Sequence, residues 1–122
     1  MNGISILCDT NILINLLNGN IAIAKLLNCK RVFISSITEL ELYGKRNLTT
    51  SESKIVDVLV NNCFVVDLIQ PVKEIVKRLK RRYRIKLSDA IVAATAIYMN
   101  IPLITYDSDF SEVEELSLIL LK

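Results

Sequence analysis

The groups with chemistry to offer in this 122-residue chain are acids placed at the ends of apolar runs. Asp9 follows Ile4-Ser-Ile-Leu-Cys8, and Asp107 and Asp109 follow Pro102-Leu-Ile-Thr105. Asp89 opens the apolar stretch Ala90-Ile-Val-Ala-Ala-Thr-Ala96, and Glu39 and Glu41 come shortly after Val32-Phe-Ile34. Two ionised carboxylates 4 Å apart repel by about 4 kcal/mol at an effective dielectric of 20. Several on one rim require protonation or a cation, and a divalent ion meets that need. A carboxylate cage with open water positions suits phosphoryl chemistry, because the ion lowers the pKa of water and neutralises charge building on phosphate.

Each acid also has a plainer reading. Asp89 is a favourable first-turn charge on a helix, and Asp107 and Asp109 are common turn residues. Ser36-Ile-Thr-Glu39 fits a capping box, which makes Glu39 structural. Glu39 and Glu41 point about 200° apart on a helix, so at most one faces inward. Asp9 resists dismissal, since an acid ending a buried strand gains little structurally.

Histidine is absent, which excludes a histidine base, a Ser-His-Asp triad and histidine-ligated zinc. Oxygen ligands remain, and these favour Mg²⁺ or Mn²⁺. Cys8, Cys29 and Cys63 lack CxxC spacing and read as reduced, buried thiols.

The elements that must position these acids alternate in type. Strands are expected over 4–8, 32–34, 64–66, 102–105 and 118–121. Helices are expected after Asp9 with Thr10 or Asn11 as cap, over 21–27, from Ser35 or Ser36 to near Gly44, over 51–61 with Ile55, Val58 and Leu59 on one face, and from Pro71 to near Tyr83. The stretch from Lys86 to Phe110 reads as a buried helix capped by Ser88 and ended by Asn100, then a strand and an acidic loop. This order predicts an α/β fold with a central parallel sheet covered on both faces, in one domain spanning 1–122. Ligands in such sheets gather just past the carboxyl ends of strands, where Asp9 and Asp107 fall.

Apolar residues at 52% and charged residues at 23% suit a globular chain. No apolar run approaches the roughly 18 residues of a membrane span, and Met1-Asn-Gly-Ile lacks the basic start of a leader, so a cytoplasmic location is expected. Lys73 to Lys86 holds eight bases against one acid, a net +7, leaving seven bases against twelve acids elsewhere, a net −5. A basic stripe beside an acidic remainder fits either a nucleic-acid footprint or a solvated helix face.

Four blocks then carry a family resemblance: Leu7-Cys-Asp9-Thr-Asn11-Ile-Leu-Ile14, Ile34-Ser-Ser-Ile-Thr38-Glu-Leu-Glu41-Leu, Ser88-Asp89-Ala-Ile-Val-Ala-Ala, and Pro102-Leu-Ile-Thr105-Tyr-Asp107-Ser-Asp109-Phe110. In this order they resemble PIN-domain ribonucleases, and the small size is similar to the VapC toxins of toxin–antitoxin pairs. The resemblance implies a three-layer α/β/α sandwich in which Asp9, Glu41, Asp89 and Asp107 bind Mg²⁺ or Mn²⁺ and position the attacking water. It places Asn11 and Thr105 beside them as polar auxiliaries, with Asp109 as a further auxiliary acid. It implies RNA as substrate, 3′-hydroxyl and 5′-phosphate products, a cognate antitoxin that covers the site, and a homodimer. Arg82, Arg84 and Lys86, just ahead of Asp89, are in position to reach the RNA backbone. Three alternatives stand beside this reading. One is an RNA-processing nuclease without an antitoxin. Another is a PIN-like module that binds RNA or protein without cutting. The third is a phosphatase of the haloacid-dehalogenase type, but that needs a second Asp where Asp9-Thr-Asn11 has an amide.

Overall fold

A computed structural model describes residues 3–122. Met1 and Asn2, where the sequence lacks the basic start of a leader, lie outside the described residues. Five strands form one parallel sheet in the order β3-β2-β1-β4-β5. They are β1 (Ser5–Cys8), β2 (Arg31–Ser35), β3 (Phe64–Val66), β4 (Leu103–Thr105) and β5 (Leu118–Leu120). Six helices connect them: α1 (Thr10–Leu17), α2 (Ile21–Leu27), α3 (Ser36–Leu42), α4 (Thr50–Asn61), α5 (Gln70–Arg82) and α6 (Leu87–Met99). A 3₁₀ turn, Ser108–Glu112, lies between β4 and β5.

Period-two alternation divides the strands between two cores. Leu7 and Leu103 point to a cluster with Val72, Val76 and Leu79 of α5 and the inner residues of α6. Ile6, Cys8, Ile34 and Ile104 point the other way, to Ile12 and Leu13 of α1, Ile23 of α2, and Val56 and Val60 of α4. A strand buried on both faces must be apolar throughout, which is why these runs show no alternation in sequence. The expected α/β/α sandwich is what forms. Among the described residues no single helix is long and apolar enough to cross a membrane.

Helix α6 is the central pillar. Residues 90–96 are all buried, and small alanines let it lie close against α5 and the sheet. It stops at Asn100, whose left-handed backbone (φ 54°, ψ 46°) suits Asn better than most residues.

Several caps differ from expectation. Asp9 itself caps α1, its Oδ1 accepting the Ile12 N–H at 3.1 Å, so the acid does have a structural use. Ser35 caps α3 by accepting the Thr38 N–H at 3.2 Å, which removes the capping box expected for Ser36 and Glu39. Lys86, not Ser88, holds the cap position of α6, and no side chain caps that end. In each case one of several adjacent polar residues takes the cap, and the strand–helix turn decides which. Helix α4 is also rotated from its expected phase: Val56 and Val60 are buried, while Ile55 and Val58 are 57% and 62% exposed. The run Ile55-Val-Asp-Val-Leu-Val60 is apolar on nearly every side, so spacing alone could not select its inner face. The cysteines are all free thiols, but only Cys8 is buried; Cys63 is half-buried, and Cys29 is exposed in the turn between α2 and β2.

Ser35 bears on the chemistry because α3 carries Glu41. Its hydroxyl is fully buried and also donates to Thr38 Oγ1 at 3.3 Å. Ser35→Ala should lower stability by about 1–2 kcal/mol, read as a lower denaturation midpoint with unchanged m-value.

Candidate active site

The sheet order makes β1 and β4 neighbours that lead to opposite sides, so their carboxyl ends flank a switch point. There a cavity of about 470 Å³ opens, lined by Asp9, Thr10, Asn11, Glu41, Gly44, Lys86, Ser88, Asp89, Val92 and Asp107. The four acids expected to act together come from four different elements and line this one cavity.

Each acid is held differently. Asp9 is 7% exposed and has both oxygens engaged: Oδ1 with the Ile12 N–H and Oδ2 with the Thr105 hydroxyl. Burial pushes its carboxyl above the ordinary carboxylate value against those hydrogen bonds, and the charge of Asp107 adds to the rise. Thr105, fully buried, ties the end of β4 to the end of β1 by donating to Asp9, and its oxygen also accepts the Asp107 N–H at 3.0 Å, which fixes the turn after β4. Asp107 then caps the 3₁₀ turn through the Asp109 N–H at 2.9 Å.

Glu41 is exposed, and its Oε1 accepts a hydrogen bond from Thr10 Oγ1 at 2.5 Å. Asp89 lies in the first turn of α6 and is partly buried. Its carboxyl is pushed up first by burial and then by Asp107, with smaller contributions from Asp9 and Glu41, while Lys86 draws it down. The acids therefore feel one another across the cavity.

Other expected residues separate into groups. Asn11 lines the cavity, and Thr105 lies behind it under Asp9. Asp109 is exposed and outside the lining, touching the site only through its backbone. Glu39 is likewise outside, near enough to Tyr43 to act on its hydroxyl electrostatically. Of the three bases, Lys86 alone reaches the cavity wall. Arg84 is exposed elsewhere, and Arg82 pairs with Glu114 at 3.0 Å. Sequence reasoning misses Thr10 as the partner of Glu41. Its position beside Asp9 is the available signal, but a threonine there reads equally well as a helix cap.

Whether a divalent ion fits can be judged from the donors. They are oxygens throughout, carry excess negative charge and line an open cavity, as a hard cation requires. Among the described residues no three acids converge on one point. An ion here would therefore rest on one or two carboxylates and water, the usual mode for Mg²⁺.

The chain is thus a three-layer parallel α/β protein with a carboxylate-lined cleft at its switch point. The PIN domain family model matches residues 6–116, and the chain belongs to that family. The fold is similar to a toxin–antitoxin complex from Klebsiella pneumoniae (TM-score 0.80, 28% identity, 93% of this chain and 94% of that one). It is also similar to VapBC2 from Rickettsia felis bound to a promoter DNA fragment (0.80, 18%, 98% and 100%). VapBC-1 from nontypeable Haemophilus influenzae is a third such structure (0.77, 23%, 96% and 98%). The last two likenesses, at lower identity, speak for the fold alone. No curated protein sequence matches the chain.

Proposed function

We propose that this chain is a divalent-cation-dependent endoribonuclease and the toxin of a toxin–antitoxin pair, acting in the cytoplasm as a single-domain protomer of a homodimer. The observation that carries the enzymatic part is the convergence of Asp9, Glu41, Asp89 and Asp107 from separate elements on one cavity. Family membership supports nuclease chemistry, and the likeness to the Klebsiella toxin–antitoxin complex supports an antitoxin partner.

The proposed residue roles follow from how each is held. Asp9 is fixed by Ile12 and Thr105 and is the rigid ligand, with Asp89 and Asp107 facing it. When bound, Mg²⁺ or Mn²⁺ supplies Lewis acidity toward water and phosphate. Thr10 holds the Glu41 carboxylate at the cavity wall, where it would orient the attacking water. That water gives up a proton to solvent as its oxygen bonds to phosphorus, the bond from phosphorus to the 3′ oxygen breaks, and the 3′ oxygen takes a proton from solvent, leaving a 3′-hydroxyl and a 5′-phosphate. Asn11 offers an amide to the substrate at the rim.

The open spacing of the acids gives one reason to keep a second reading, an RNA-binding module that does not cut. Incubating purified protein with total cellular RNA separates the two. Discrete fragments that appear with Mg²⁺ or Mn²⁺ and disappear with EDTA are expected. Intact RNA under every metal condition would leave only the binding module.

A further inference from the structure

Eight bases lie between Lys73 and Lys86, and the fold sorts them by what they already hold. Lys77 reaches Glu74 at 3.0 Å, Arg78 pairs with Glu115, and Arg82 pairs with Glu114 while lying 5.2 Å over the Tyr83 ring. Lys80 donates to the Ile85 carbonyl at 2.5 Å. Pairs this exposed add little stability, but each commits a cation to an internal partner. A stripe that reads as +7 in sequence is thus partly spent on fastening α5 to the segment just ahead of β5.

Lys86 is different in place and in support. It is the single basic residue in the lining of the carboxylate cavity. Its backbone is fixed on both sides: Ile85 before it is buried and held by Lys80, and its own carbonyl accepts the Ala90 N–H at 2.8 Å. The side chain itself is exposed and unpaired by any acid within salt-bridge distance among the described residues. A flexible cationic side chain therefore stands on a rigid base beside four carboxylates.

An RNA strand entering this cavity brings negative charge toward negative charge. A point cation at the rim offsets that repulsion without reading any base, which is the role lysine suits. We propose that Lys86 is a substrate-positioning residue that holds a backbone phosphate adjoining the scissile one. This rests on the nuclease reading above and deepens it by naming the phosphate contact.

The alternative is that Lys86 acts only by compensating Asp89, so the test removes that route. In an Asp89→Asn background there is no carboxylate at 89 to compensate. Binding of a mixed-sequence single-stranded RNA is measured there as a function of salt, with and without Lys86→Gln. Affinity should fall about tenfold at low salt, the effect of losing one charge-assisted contact. The slope of log affinity against log salt should shrink by about 0.7, one phosphate's worth for a single strand. Lys86→Arg should restore most of the slope, and Lys25→Gln, on α2 outside the cavity lining, should leave it unchanged. In the otherwise native chain, Lys86→Gln should raise KM more than it lowers kcat.

An unchanged slope and affinity in Asp89→Asn/Lys86→Gln, while the native chain cleaves RNA, would overturn the role of Lys86 and leave the nuclease standing. A native chain that neither cleaves nor binds RNA would overturn the nuclease reading and this contact with it.

Discussion

Glu41→Gln should reduce metal-dependent RNA cleavage by about 100-fold or more, the usual scale for losing a charged group that acts on the reacting water. Glu39→Gln should leave the rate within about twofold. The two residues sit close together on the same short helix, so the contrast tests geometry rather than composition. Glu41 lines the cavity and is oriented by the Thr10 hydroxyl, whereas Glu39 lies outside it toward Tyr43. Glutamine keeps the oxygen that accepts from Thr10, so the expected loss reports the missing charge and not a broken helix. Rates from purified variants on one RNA, with circular dichroism to confirm equal helix content, decide the matter. Loss on changing Glu39 with activity kept on changing Glu41 would mean that α3 presents its other face to the substrate.

Asp89→Asn should abolish most cleavage and at the same time make the metal-free protein harder to unfold. Burial and the facing carboxylates hold the Asp89 carboxyl above its ordinary value of 3.8, so the folded chain binds that proton more tightly than the unfolded one. The stability from this group is complete below about pH 3.8 and is lost as pH rises through the raised value. At neutral pH the native chain therefore bears a cost that asparagine does not. The dipole of α6 works the other way, favouring a first-turn charge by about 0.3–1 kcal/mol, but burial and three facing acids oppose it. A melting temperature higher by a few degrees is expected in EDTA, with the gain shrinking as pH falls toward about 4. Millimolar Mg²⁺ should stabilise the native chain and do less for the variant, since a ligand stabilises only the state that binds it. A variant that melts lower at every pH, or gains as much from Mg²⁺, would remove Asp89 from the cation site.

Both results turn on acids that differ in how plainly the sequence marks them. Asp9 and Asp107 are legible because a strand buried on both faces has to be apolar, so an acid directly after it stands out. Asp89 is legible because first-turn acids ahead of an apolar helix are a local pattern. The alternation of strands and helices is also local, and it leads to the parallel sheet. Caps are less legible, since Asp9, Thr10 and Asn11 are all competent caps and only the turn geometry selects Asp9.

By itself, then, the sequence determined the layer architecture, the family blocks and the set of acids, because all of these are written in contiguous residues through burial and periodicity. The tertiary structure decided the rest. It set Glu41 in the cavity lining and Glu39 outside it through the packing of α3, giving a physical basis to a choice that the family block implied and helical angle alone could only separate. It chose Val56 and Val60 as the inner face of α4 from a run apolar on nearly all sides. It withdrew Arg78 and Arg82 from the basic stripe through Glu115 and Glu114, partners more than thirty residues away, and left Lys86 at the cavity wall. Charge count is a property of the chain, but which charges are free is a property of what the fold brings beside them.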